Sequence, residues 1–278
     1  MSIELGRIGI WRHPSGLTPE VVAAVEALGY GAIWVGGSPG GDLGVVENLL
    51  DTTDHIAVAT GIVNVWQDDA ATIGADYHRI AARHPGRFLL GLGIGHPEAT
   101  PEYQRPYAKL VSYLDELDDL KVPAGGRALA ALGPRVLALA ADRSAGAAPY
   151  LVTPEHTRRA RQILGEGPLL APEQKVVLET DPERARAIAR PRVQNPYLGL
   201  TNYVSNLRRL GWTDADFAGG GSDALIDALV VHGDAQALGR GITAHLDAGA
   251  DHVAVQVLGS DPRPALRALA GSLGLAPS

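Results

Sequence analysis

The sequence predicts an α/β protein: a single (β/α)8 TIM barrel occupying residues 1–278 as one domain, with an extra helical segment before the last strand. Three observations lead there. Short apolar runs alternate with stretches of helical period, the rhythm of strands joined by crossover helices. The runs are apolar throughout rather than at alternate positions, as in strands buried on both faces of a parallel sheet. Eight such runs fit into 278 residues, which favours one closed barrel over an open doubly wound sheet.

Residues 7–11 form the first strand. Thr18-Pro19-Glu20 opens the first helix: Thr18 can cap, Pro19 suits the first helical position, and Glu20 favours the positive end of the dipole. Val21, Val22, Val25 and Leu28 recur at helical spacing, and Gly29 stops the run. The second strand, 32–35, ends in Gly36-Gly37. A helix over 45–53 leads to a strand over 56–63. A helix over 69–84, ended by Pro85-Gly86, leads to a strand over 88–92 that closes on Gly93-Ile94-Gly95. Residues 103–120 are helical, 128–132 form a short strand, and Pro134 opens the next helix. A weak strand over 145–150, a helix over 154–164 and a strand over 174–178 follow. From 181 to about 246 the pattern is helical, with no convincing internal strand. The last strand, 252–257, precedes a helix over 262–273.

Composition narrows the function. Hydrophobic residues make up 46% and charged residues 20%, which excludes a disordered chain. The net charge of −7 argues against nucleic acid and anionic membrane as partners. With no cysteine there is no disulfide, thiolate metal site or cysteine nucleophile. No apolar run reaches the ~18 residues of a transmembrane helix. The first residues lack the pattern of a signal peptide. A soluble, cytoplasmic protein with a small-molecule substrate is expected.

In a barrel of this type the active site lies at the C-terminal ends of the strands. That rule selects 11–13, 36–38, 61–66, 93–96, 132–134, 150–153 and 258–260. His96 is the most interesting titratable group among them, an imidazole able to act as acid or base near neutral pH, or simply a loop histidine. Leu132-Gly133-Pro134 sits where a strand meets a helix N-terminus, which suits a phosphate or is an ordinary turn. Gly93-Ile94-Gly95-His96-Pro97 is not a dinucleotide fingerprint, because the third glycine is missing and a proline follows. Asp68-Asp69 reads as helix capping, and the histidines have no ligand spacing, so no metal is expected. Arg158, Arg159 and Arg161 read as a solvated helix face.

The segments Thr60-Gly61-Ile62-Val63-Asn64-Val65-Trp66 and Pro85-Gly86-Arg87-Phe88-Leu89-Leu90-Gly91-Leu92-Gly93 resemble the bacterial luciferase-like flavin and deazaflavin enzymes. The stretch 107–117, the turn Ala131-Leu132-Gly133-Pro134 and the closing segment Asp247-Ala248-Gly249-Ala250-Asp251-His252-Val253 fit the same family in the same order. The sequence most resembles the coenzyme F420-dependent branch. The resemblance implies an oxidoreductase that moves a hydride to or from C5 of F420, with FMN as the alternative cofactor. It implies a non-proline cis peptide at Gly61–Ile62, with Ile62 against the rear face of the ring and Asn64 near the cofactor's polar edge or tail. It implies Trp11, Gly133, Pro134 and Tyr150 as further cofactor contacts, Gly133 and Pro134 at the phosphate.

The departures are informative. Sugar-phosphate dehydrogenases of this branch carry an acid–histidine pair after the second strand, where this chain has Gly36-Gly37. After the fourth strand they carry a glutamate where this chain has His96, which becomes the expected catalytic residue. Two other readings stand beside the leading one. The first is an FMN-dependent monooxygenase; the second is a non-catalytic flavin-binding barrel. A lyase is disfavoured, since Lys109, Lys121 and Lys175 fall on helices or at a strand start. A homodimer is expected, for which Val45, Val46, Leu49 and Leu50 either serve or face the barrel.

Overall fold

The computed structural model describes residues 3–99 and 105–276. The strands are β1 (Ile8–Arg12), β2 (Ala32–Gly36), β3 (Ala57–Gly61), β4 (Val63–Asn64), β5 (Phe88–Gly93), β6 (Arg127–Leu129), β7 (Gly146–Ala147), β8 (Leu169–Leu170), β9 (Glu173–Leu178), β10 (Val230–Gly233) and β11 (Val253–Val257). Every pairing is parallel, in the order β10-β9-β11-β1-β2-β3-β5-β6-β7-β8, with β4 also paired to β5. The sheet curls. Glu173 N donates to Pro149 O at 2.9 Å on one side, while Pro172 O accepts from Ala254 N at 2.9 Å on the other. Segment 169–173 therefore carries the curl round from β7 to β11.

Among the described residues eleven strand segments replace the eight expected. The third predicted strand is broken at Ile62 into β3 and β4. Before β9 the chain is interrupted at Ala171-Pro172, where proline lacks the N–H a ladder needs. β10 is an added strand inside the 181–246 segment, where helical stretches and no convincing strand are expected. It follows directly on a helix, so Leu229-Val230-Val231 continues an apolar run without turn residues to mark the change.

The helices lie between and outside the strands: α1 (Pro19–Ala27), α2 (Gly44–Asp51), α3 (Ala70–Arg83), α4 (Pro106–Asp119), α5 (Pro134–Arg143) and α6 (Pro154–Leu164). The part of the predicted 103–120 helix before residue 105 lies outside the described residues. The inserted segment supplies α7 (Pro182–Gln194), α8 (Thr201–Arg209), α9 (Asp214–Phe217) and α10 (Asp223–Leu229), before α11 (Ala235–Asp247) and α12 (Arg263–Leu273). Local signals explain several starts. Asp69 Oδ1 accepts from Thr72 N at 2.8 Å and caps α3. Thr153 caps α6, which has Pro154 at its first position. Thr18 makes no capping hydrogen bond, contrary to expectation, and α1 starts on Pro19 without one.

Three apolar clusters hold the molecule. The largest lies between strands and outer helices. A second, with Val193, Leu207 and Leu225, joins the inserted helices to Leu151, Val177 and Leu258. The third fills the inside of the curl with Ala32, Ala57, Ala59, Ala128, Ala171 and Ala254 around Trp34. Small residues there leave room above Trp34. Val46, Leu49 and Leu50 are buried in the chain's own core and Val45 packs against it, so these four face the barrel. Arg158 and Arg159 pair with Glu155 on the surface, whereas Arg161 ties α6 to Gly249 O, Pro168 O and Asp251. No helix among the described residues is long and apolar enough to cross a membrane.

Candidate active site

A cavity of about 640 Å³ opens at the C-terminal ends of the strands. Trp11, Gly61, Ile62, Asn64, His96, Gly133 and Tyr150 all line it. Pro134 does not; it is the first residue of α5, behind Gly133.

The wall over β2 and β3 depends on glycine. A Cβ on Gly36 would lie 2.0 Å from the Trp11 ring, and one on Gly61 would lie 2.8 Å from Trp11 Nε1. The indole thus covers the place where side chains at 36 and 61 would stand. His13 likewise covers Gly37, whose Cβ would lie 2.4 Å from the imidazole. The two positions that lack the acid–histidine pair are filled from β1 and the turn after it.

The peptide bond between Gly61 and Ile62 is cis, as the resemblance implies. The Ile62 side chain crosses to β5, where a Cβ on Gly93 would meet it at 2.8 Å. Asn64 Oδ1 accepts from Trp66 N at 3.1 Å, and Trp66 Nε1 donates to Ile94 O at 2.9 Å, so this turn is tied to the one after β5.

His96 follows β5 and packs its ring 5.5 Å from that of Tyr203 on α8. Burial lowers its pKa from the ordinary histidine value, against smaller opposing effects of Asn202 and Glu98. The imidazole is therefore neutral near pH 7. Its Nδ1 and Oδ1 of Asn202 are buried and form no hydrogen bond of normal geometry. Glu98 Oε1 accepts from both the amide and hydroxyl of Thr201, at 3.0 and 2.8 Å, pinning the start of α8 over the cavity.

Rings continue from there. Tyr203 lies 5.0 Å from Tyr197, Tyr197 5.4 Å from Tyr150, and Tyr150 5.2 Å from Trp11, centroid to centroid. Tyr197 OH donates to Tyr150 OH at 3.2 Å, and Tyr150 OH to Gln256 Oε1 at 2.9 Å. Burial raises the pKa of Tyr150 and Tyr203 well above that of a free phenol, so both stay protonated.

Glu173, Tyr197, Asn202 and Tyr203 also line the cavity and lie outside the strand-end positions that the sequence selects. Lys175 stands inside β9, not at a strand start, and is buried with Glu173; Nζ is 3.2 Å from both carboxylate oxygens and 3.8 Å from the Tyr150 ring centre. Burial pushes the carboxyl pKa up and the ammonium pKa down, and their mutual attraction opposes both shifts. Two residues apart on a strand, both side chains share the inner face. Two charged residues at that spacing in an apolar strand are the signal that identifies them. Tyr197, Asn202 and Tyr203 come from the insertion and have no such local signal.

A Cβ on Gly133 would lie 3.8 Å from Arg209 Nη2. His156 Nε2 bonds to Leu132 O at 3.0 Å and fixes this turn. Below the cavity, Trp34 Nε1 donates to His252 Nε2 at 3.0 Å, and His252 Nδ1 bonds to Gly6 O at 2.7 Å. Asp68 accepts from Gly41 N at 2.9 Å.

A curled parallel α/β sheet with its cavity at the strand C-termini defines the class of fold. No protein-family model matches the chain, and no curated protein matches it. Solved structures share the fold over nearly its whole length. One is an F420-dependent secondary alcohol dehydrogenase in complex with an F420–acetone adduct, with a TM-score of 0.74 at 12% identity over 97% of this chain and 98% of that one. Another is the coenzyme F420-dependent tetrahydromethanopterin reductase from Methanopyrus kandleri, at 0.70 and 16% over 96% and 98%. A third is the oxygenating constituent of a diketocamphane monooxygenase from Pseudomonas putida in complex with FMN, at 0.66 and 13% over 97% and 96%. At these identities the likeness concerns the fold.

Proposed function

We propose that the chain is an oxidoreductase that holds a deazaflavin ring of the F420 type in this cavity and uses His96 as its acid–base residue. The observation that carries the reading is the convergence of Trp11, Gly61, Ile62, Asn64, His96, Gly133 and Tyr150 on one cavity. The residues fit such a group. Gly61 and Gly93 make room for the Trp11 indole and the Ile62 side chain, which line the cavity and offer a flat ring an apolar backing. Gly133 opens α5, whose free N-terminal amides suit a phosphate, and Arg209 brings a positive charge beside it.

Such a cofactor supplies hydride transfer, and the protein supplies binding, orientation and proton handling. Neutral His96 accepts a proton from substrate at Nδ1 in the oxidative direction and returns it in the reductive one. Tyr150, Tyr197 and Tyr203 exclude water from that part of the cavity. An FMN-dependent monooxygenase is the second reading, favoured by the shared fold of the FMN-bound diketocamphane enzyme.

Fluorescence titration of the purified protein with oxidised F420, beside one with FMN, tests the assignment. Saturable low-micromolar binding of F420 alone is the expected result. Preference for FMN moves the reading to a monooxygenase, and binding of neither overturns it.

A further inference from the structure

The wall of the cavity beneath α8 has a chemistry of its own. His96, Tyr203, Tyr197, Tyr150 and Trp11 form a continuous arc of rings, each 5.0–5.5 Å from the next. Aromatic rings at such spacings accept a further flat ring by offset or edge contact. The charge against the arc is the Lys175 ammonium, 3.8 Å from the Tyr150 ring centre and 5.4 Å from that of Tyr197. Among the described residues no arginine or lysine lines the cavity, and the one carboxylate that does, Glu173, is already matched by Lys175. A ligand carboxylate or phosphate against the arc would be desolvated with no cation of the lining to meet it, and a ligand ammonium would find a carboxylate already paired.

One polar feature interrupts the arc. His96 Nδ1 and Asn202 Oδ1 are buried, lack partners of normal geometry, and stand beside each other at its end. Buried polar atoms in folded proteins are nearly always paired, and leaving one unpaired is costly. With the Asn202 amide turned so that its N–H2 stands at the unpaired position, a single oxygen beside these two side chains satisfies both. A carbinol hydroxyl donates to neutral Nδ1 and meets the Asn202 amide; a carbonyl oxygen accepts from the amide N–H and from the protonated ring.

We propose that this wall of the cavity binds an uncharged aryl ketone or the corresponding aryl carbinol, its ring against Tyr203 and Tyr197 and its oxygen beside His96 and Asn202. The choice of a carbonyl–carbinol pair rests on the hydride-transfer reading above; the preference for a neutral aromatic ligand rests on the arc alone.

Isothermal titration of the protein with acetophenone, 4-acetylbenzoate and cyclohexyl methyl ketone tests this without turnover. Acetophenone is expected to bind at least about tenfold more tightly than either other probe, a difference of about 1.4 kcal/mol. Asn202→Ala and Tyr203→Leu should each weaken acetophenone binding by about tenfold, while Tyr203→Phe, which keeps the ring, should retain it. Equal or tighter binding of the carboxylate overturns the proposal. So does the absence of acetophenone binding by a protein that melts cooperatively. F420 and FMN titrations run alongside separate the two claims. Acetophenone binding with neither cofactor bound sinks the proposed function and leaves this inference standing; cofactor binding with no acetophenone preference does the reverse.

Discussion

At the scale of single residues, Trp11 shows how one side chain stands in for others. A Cβ on Gly36 would fall 2.0 Å from its ring, so the indole and any side chain at 36 exclude each other. Gly36→Ala should therefore push Trp11 out of place, at a cost of about 1–3 kcal/mol in stability, the usual range for overpacking. Trp11→Leu in the same chain should recover part of that loss, and a thermal-melt double-mutant cycle reads the coupling. Additive effects would sink the idea. For His96 the sign is equally definite. Burial lowers its pKa, so the base form persists at pH 6.5 and below. The rate of substrate oxidation should stay flat as pH falls from 8 to about 6.5 and drop only at lower pH. His96→Ala should remove both that lower limb and most of the activity. A limb centred on the free-histidine value would contradict this.

At the scale of elements, most starts and stops were written locally. Thr153-Pro154-Glu155 marks the head of α6, and the predicted and observed helices coincide over 154–164. Asp69 does the same for α3. Asp69→Ala should lower stability by about 1 kcal/mol, measured as a shift in denaturant midpoint at unchanged slope. β10 escaped because its four residues follow a helix without a turn, and the cavity roof escaped because distant segments meet there. The clearest case is Glu98, whose carboxylate holds the first amide and hydroxyl of α8 across 103 positions of sequence. No local pattern encodes such a contact. Glu98→Ala should speed amide exchange over 197–209 while leaving the barrel strands protected; uniform change across the chain would contradict a local role. By contrast His96 and Gly133 were legible, because barrel geometry alone puts the ends of strands around one site.

At the scale of the whole molecule, buried histidines set the response to acid. His245 bridges Thr157 Oγ1 and Gln174 Oε1 at 2.8 and 2.7 Å, and His252 joins Trp34 to Gly6 O. Burial drives the pKa of each from 6.5 down to about 4. Between those values the unfolded chain binds more protons than the folded one, so stability is full above pH 6.5 and falls as pH drops toward 4. The loss should reach about 3 kcal/mol for each histidine. Melting temperatures across pH 7.5 to 4.5 should show it, and His245→Gln should flatten the slope. An unchanged slope in that variant would assign the acid sensitivity elsewhere.

The Gly36–Trp11 wall and the tyrosine roof are written in separate stretches of the chain. Trp11, Gly36, Ile62 and Gly133 belong to the repeating strand–helix units, while Tyr197, Asn202 and Tyr203 belong to one insertion between β9 and β11. Heredity can edit them separately. Exchange of a single exon-sized cassette, roughly 180–229, would replace three roof side chains while leaving the strand ends beneath untouched. Directed evolution of new selectivity should accordingly concentrate its library there.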